Sequence, residues 1–212
     1  MKEQQRPGIP LPTIKRIPVY VSVLEKRLKE GKETVSTTDF AAALTLKPVQ
    51  VRKDLAFAGA EGKPRIGYRT EELLETLHRF VGWNNLSEAV LVGAGALGTA
   101  ILGYKGFGRF GLKIKAAFDI DESKCGATVH DKPVYPIRDL KQYVKKNGII
   151  MGILTVSENG AQPAADALVE AGIQGIWNFS PAQIDVPDSI FVQQEDLAAG
   201  LAVLAVRIKE RQ

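Results

Sequence analysis

Cysteine occurs once in the 212 residues and histidine twice. The lone Cys125 excludes an intramolecular disulfide, and without Cys or His neighbours it makes no metal site, so it reads as a loop thiol. No apolar run reaches the 18 or so residues of a membrane span, and the opening MKEQQRPGIPLP lacks the apolar segment of a secretory leader. A cytoplasmic protein is expected. Histidine scarcity also narrows the enzymatic readings: His78 has no partner within its motif, and His130 is the only histidine after residue 85, in a turn-like context. What remains is a composition ordinary for a soluble globular chain, 45% hydrophobic and 25% charged.

Charge is uneven along the chain. Residues 1–85 hold 15 basic and 10 acidic residues, and residues 86–212 hold 13 and 14. The positive excess sits on the first third, where a polyanion would be met.

That third reads as helical. In TIKRIPVYVSVLEKRLKEG, Ile14, Ile17, Val21, Leu24 and Leu28 recur at helical spacing, Pro18 is tolerable near a first turn, and Gly31 supplies a stop. STTDFAAAL opens with capping hydroxyls, and Pro48 suits the first position of a third helix, PVQVRKDLAFA. If Val49, Val51 and Leu55 face the core, then Lys47, Gln50, Arg52 and Lys53 project with groove and phosphate chemistry. AGAEGKPRIGYR follows as a turn with Lys63 and Arg65 near its tip, as a wing would carry them. The same pattern fits a helical interaction domain with solvated basic residues. TEELLETLHRFVGW, with Thr70 as its cap, is a connecting helix, and GWNNLSE breaks the pattern at a domain boundary.

Residues 90–101, VLVGAGALGTAI, have a different character. The strand EAVLV runs into Gly93, Gly95 and Gly98 and then into helix formers, and a second strand, LKIKAAFD, ends on Asp119, 21 residues beyond Gly98. This is the context of a dinucleotide cradle. Gly93 turns tightly, Gly95 admits the pyrophosphate to the backbone, and Gly98 lets helix and strand pack closely. A carboxylate at Asp119 suits ribose hydroxyls and repels a 2′-phosphate, which favours NAD over NADP. Alternating helices and strands then predict a doubly wound parallel sheet, with no second substrate domain and no evident acid or base for hydride transfer. The last helix, EDLAAGLAVLAVRIKERQ, is apolar all round from Leu197 to Val206 and is expected to be buried, its partner a second subunit.

VQVRKDLAFAGAEGKPRIGY, VGAGALG, AAFDIDESKCG and AGIQGIWNFSPAQIDVP together resemble the Rex family of bacterial redox-sensing transcriptional repressors over nearly the whole chain. The resemblance implies a homodimer with an N-terminal winged-helix domain (1–85), a Rossmann NAD(H)-binding domain (86–195) and a swapped dimerisation helix (196–212). It implies operator DNA as partner, NADH and NAD+ as the sensed cofactors, and no catalysis. The DNA-binding set is Lys47, Gln50, Arg52, Lys53, Lys63 and Arg65. The cofactor set is Gly93, Ala94, Gly95, Ala96, Leu97, Gly98, Tyr104, Asp119, Asp121, Thr155, Asn178 and Phe179. Arg16, Tyr104 and Asp196 match a redox-dependent network. The chain departs from the family's usual residues at Ala58, Ala96, Ser157 and Leu197 and in its wing. The alternative is a small NAD-dependent oxidoreductase or nucleotide-binding subunit whose basic front end serves assembly.

Overall fold

A computed structural model describes residues 9–85 and 87–210, without the side chain of Leu197. The start of the opening segment and the family departure at Leu197 therefore lie outside the described residues. The chain forms two compact units, Met1–Asn85 and Leu86–Gln212.

In the first unit, helix α1 (Leu11–Lys29) begins behind Pro10, earlier than its apolar pattern suggests, so Pro18 falls well inside it. The donor that Pro18 lacks would have served the carbonyl of Ile14, a residue 40% exposed, where water can substitute. The buried stripe is Thr13, Ile17, Tyr20, Val21 and Leu24. Ile14 lies at its margin and Leu28 beyond its end, so neither is core as expected. Strand β1 (Thr34–Val35) leads to helix α2 (Thr37–Leu44), whose capping box pairs Ser36 with Asp39. Helix α3 (Pro48–Phe57) follows a turn closed by Thr45 in the left-handed region. Strand β2 (Tyr68–Arg69) pairs antiparallel with β1, and helix α4 (Thr70–Phe80) completes the unit. Arg69, not Thr70, is its N-cap residue; the Thr70 hydroxyl instead donates to the carbonyl of Lys32 at 2.8 Å. The core gathers Ile17, Tyr20, Leu24, Phe40, Val51, Leu55, Leu73 and Leu77, with the Tyr20 and Phe40 rings edge to face.

The second unit is a seven-stranded sheet in the order β5-β6-β4-β3-β7-β8-β9. Its strands are β3 (Ser87–Val92), β4 (Leu112–Asp119), β5 (Thr128–Val129), β6 (Lys132–Pro136), β7 (Met151–Leu154), β8 (Gly175–Asn178) and β9 (Phe191–Gln194). All pairings are parallel except β5 with β6. Helices α5 (Ala96–Gly103), α6 (Leu140–Asn147) and α7 (Glu158–Ala171) connect them, and α8 (Leu197–Lys209) ends the chain. Fully buried strand faces explain the unbroken apolar runs AVLV and AAF. The stretch around His130, read as a turn, is the β5–β6 hairpin. His130 packs on the end of α5: a Cβ added at Gly103 would lie 2.7 Å from its Nε2. The order reverses at β3, whose neighbours β4 and β7 carry the chain to opposite edges, and a ligand crevice belongs at the carboxyl ends of those strands.

Candidate functional site

On α3 the buried positions are Val51, Asp54 and Leu55, while Val49, Arg52, Lys53, Ala56 and Phe57 form the exposed face. This corrects the sequence expectation for Val49, which is 60% exposed. Lys47 is the exposed N-cap residue. Lys63 and Gly67 exchange hydrogen bonds of 2.7 and 2.9 Å, closing a hairpin that presents Pro64, Arg65 and Ile66 to solvent. A cleft of about 360 Å³ between the start of α2, Arg52 and this hairpin brings Arg52, Lys63 and Arg65 together. Lys47, Gln50 and Lys53 lie outside it.

Gln50 is turned away from the exposed face by a residue that the sequence reading passed over. Asp54 is fully buried. Its Oδ1 accepts from the Thr13 hydroxyl at 2.8 Å, from an Arg16 terminal nitrogen at 2.8 Å and from the Gln50 amide at 3.1 Å. Its Oδ2 accepts from Arg16 Nε and the Tyr20 hydroxyl, both at 2.6 Å. Burial alone would push this carboxyl up; the donors from Arg16, Tyr20, Thr13 and Gln50 outweigh it and hold the pKa at about 2. Burial and the Asp54 carboxylate push the Tyr20 phenol well above its ordinary 10. Arg16, expected in a redox-dependent network, is thus here the bidentate partner of Asp54.

In the second unit, a cleft of about 630 Å³ opens at the carboxyl ends of β3, β4 and β7, within the range of ligand sites. Its wall brings together Gly93, Gly95, Asp119, Asp121 and Thr155 from the expected set. Gly93 has φ +104°, and a Cβ there would lie 2.7 Å from the Thr155 carbonyl oxygen. At Gly98, on the first turn of α5, a Cβ would fall 2.0 Å from the Gly93 carbonyl oxygen. Thr155 secures the same turn, its hydroxyl donating to Gly93 O at 2.8 Å. A Cβ at Gly95, the N-cap residue of α5, meets nothing within 4 Å. These features fit a dinucleotide: backbone open to a pyrophosphate at a helix N-terminus, beside a strand-end carboxylate.

Asp119 is largely committed already. It accepts from the Ala94 N–H at 2.8 Å, the Asp121 N–H at 2.9 Å and Lys124 Nζ at 3.1 Å. A carboxylate has about four acceptor positions, so one remains for a ribose hydroxyl. Lys124 was not anticipated; it sits five residues past Asp119 in a single 3-10 turn that only the fold brings back onto the strand end. Ile120, 82% exposed, also lines the cleft. Burial, helped by the Glu122 and Asp119 charges, pushes the Cys125 thiol up, consistent with an unreactive loop thiol.

The remaining expected residues lie elsewhere. Ala96 and Leu97 open α5, exposed to solvent, and Ala94 sits in the turn. Asn178 is buried, with its amide donating to Ala182 O and Gln194 Oε1 and its oxygen accepting from Ser180 N–H. Phe179 packs on Trp177 with ring centroids 4.7 Å apart. Tyr104, at the end of α5, is exposed and edge-on to Phe107. Asp196 caps α8, accepting from the Ala198 and Ala199 N–H groups. That helix is exposed along its described length in the single chain, which carries no second subunit to cover it: Leu201, Val203, Leu204, Val206 and Ile208 are each more than half exposed.

Together these features define a class, a helix-turn-helix and hairpin module joined to a Rossmann-type nucleotide unit. Two family models match, "Putative DNA-binding protein N-terminus" over residues 8–56 and "CoA binding domain" over residues 84–182. The chain is similar to the redox-sensing transcriptional repressor Rex of Treponema denticola, with 43% identity over 211 residues and 100% of both chains covered. It is 40% identical to that of Carboxydothermus hydrogenoformans, covering 95% of this chain and 97% of the relative. Among solved structures, RSP in complex with β-NAD+ and operator DNA matches with TM-score 0.90 and 32% identity, covering 97% of this chain and 95% of that one. RSP in complex with β-NADH matches with TM-score 0.87 and 31% identity, covering 97% of both. The chain belongs to the Rex family of redox-sensing transcriptional repressors. Membership sets aside the oxidoreductase alternative. Among the described residues, no helix is long and apolar enough to cross a membrane, and no group of His, Cys, Asp and Glu could hold a metal ion.

Proposed function

We propose that residues 9–85 bind operator DNA through the exposed face of α3 and the Lys63–Gly67 hairpin, and that the cleft at the end of β3 takes NAD(H), whose reduced form releases the DNA. The observation that carries this reading is the pairing in one chain of a cation-lined helix and hairpin with a nucleotide cleft. Gly93, Gly95 and the start of α5 would hold the pyrophosphate and Asp119 a ribose hydroxyl. When bound, the nicotinamide supplies the signal, because its ring is cationic when oxidised and neutral when reduced. Such a ligand shifts the protein only by its differential affinity for two arrangements, and about 1.4 kcal/mol suffices for each tenfold preference. Tyr104, Asp196 and Arg16 are the residues we assign to that response. The exposed apolar helix α8 makes a second copy of the chain its natural cover, and a repressor of this kind works in the cytoplasm.

The test is operator affinity of the full chain in one buffer at saturating NADH and at saturating NAD+. At least tenfold weaker binding with NADH is expected, and equal affinities would leave the cofactor without a regulatory role. Replacing Arg52 and Lys53 with Ala should abolish specific binding in a gel shift while NADH titration stays unchanged. Binding by the parent should fall steeply with salt, since each neutralised phosphate releases counterions. A gel shift unaltered by the double substitution would remove α3 from the interface.

A further inference from the structure

Val49 is 60% exposed, more than any other large apolar side chain of the first unit among the described residues. Isolated exposed apolar residues are common on protein surfaces, but the position of this one is specific. It is the second residue of α3, in the N-terminal turn that meets base edges when such a helix enters a major groove. Arg52 and Lys53, one turn further on, share its face, and Lys47 precedes it, so this apolar group is set among phosphate-seeking cations. Gln50, the neighbour able to read adenine, instead donates to Asp54 at 3.1 Å. Phe57, the other large apolar residue on this face, lies about 12 Å further along the axis, beyond the turn that leads into the groove.

Each base pair presents polar atoms in the major groove, but only thymine adds an apolar one, its 5-methyl group. We infer that Val49 reads a thymine methyl in each half-site and is a specificity-determining residue of the DNA interface. This rests on the DNA-binding reading above. The contact removes a methyl and part of a valine surface from water while the flanking cations hold the phosphates. Its worth is that of about one buried methyl, a three- to fivefold change in affinity.

The test uses the full-length chain with NAD+ and a duplex that the chain itself has enriched from a random-sequence library. Each thymine of that duplex is replaced singly by deoxyuridine, which removes the methyl and leaves the hydrogen-bonding edge intact. At one thymine per half-site, the parent protein should lose three- to fivefold in affinity. Val49→Ala should bind the thymine and uracil duplexes equally, and Val49→Thr, which keeps a methyl, should retain part of the discrimination. Uracil effects that are the same in the parent and in Val49→Ala at every position would overturn the inference while leaving DNA binding intact. Failure to enrich any duplex would overturn the DNA-binding reading and this inference together.

Discussion

Replacing Asp54 by alanine is expected to loosen the first unit by about 3 kcal/mol or more while leaving the sheet of the second untouched. The carboxylate accepts five hydrogen bonds, four from side chains of α1 and one from Gln50 of its own helix. Without it, the buried hydroxyls of Thr13 and Tyr20 lose their acceptor, and each orphaned group costs about 1–3 kcal/mol. Arg16 suffers less, because a quarter of its side chain already reaches solvent. Native-state hydrogen exchange reads the effect unit by unit: protection in α1 and α3 should fall roughly 100-fold, and protection in β3 and β4 should hold. Asp54→Asn should be nearly as damaging, since its amide would point N–H groups at donors. Unchanged protection in α1 and α3 would mean that the apolar core alone fixes α3.

The same residue sets an acid dependence. Its pKa falls from an ordinary 3.8 to about 2 in the folded chain, so the stabilisation from its charge, about 2 kcal/mol, is complete above the unfolded value. It is lost as pH drops from about 4 toward 2. The difference in α1 protection between the parent and Asp54→Asn should therefore narrow over that interval. A difference independent of pH would assign the loss to hydrogen-bond geometry and not to charge.

Asp54 also shows where the sequence stops being legible. The cradle could be read locally because its chemistry is local: an apolar strand, glycines at fixed offsets and a helix opening lie within a dozen residues. The existence of α3 was equally plain from Pro48 and the helix formers behind it. Its orientation was not. A carboxylate in a helix reads as solvent-facing until its partners are known, and these lie 34 to 41 residues away in the chain. Once Asp54 turns inward, Val49 must turn out and Gln50 is drawn to the side, which reverses two expectations with one contact. The β5–β6 hairpin escaped notice for a different reason: two residues pair with a strand that holds Pro133 and Pro136, too short and too proline-rich to show a period. In α8, the apolar pattern asks for a cover that a single chain cannot display.

Two glycine substitutions separate what the cradle does for the fold from what it does for a ligand. In Gly98→Ala, the new methyl would sit 2.0 Å from the Gly93 carbonyl oxygen and 2.9 Å from the Thr155 hydroxyl. The first of these is backbone, held by the Thr155 hydroxyl at 2.8 Å. Relief requires α5 to move off the ends of β3 and β7, and overpacking of this kind costs about 1–3 kcal/mol. Gly98→Ala should therefore melt at a lower temperature and bind NADH weakly or not at all. Gly95→Ala is the contrast: its methyl meets no protein atom within 4 Å, and the residue has an ordinary negative φ of −81°. Its melting temperature should match the parent's. Yet residue 95 lines the cleft at the N-terminus of α5, where a pyrophosphate would approach the backbone. A methyl interposed there should weaken NADH by about tenfold, equivalent to about 1.4 kcal/mol. Fluorescence titration with NADH beside thermal unfolding of both variants distinguishes the roles. If Gly95→Ala binds NADH like the parent, no ligand approaches the backbone at that position, and the pyrophosphate must be placed elsewhere in the cleft.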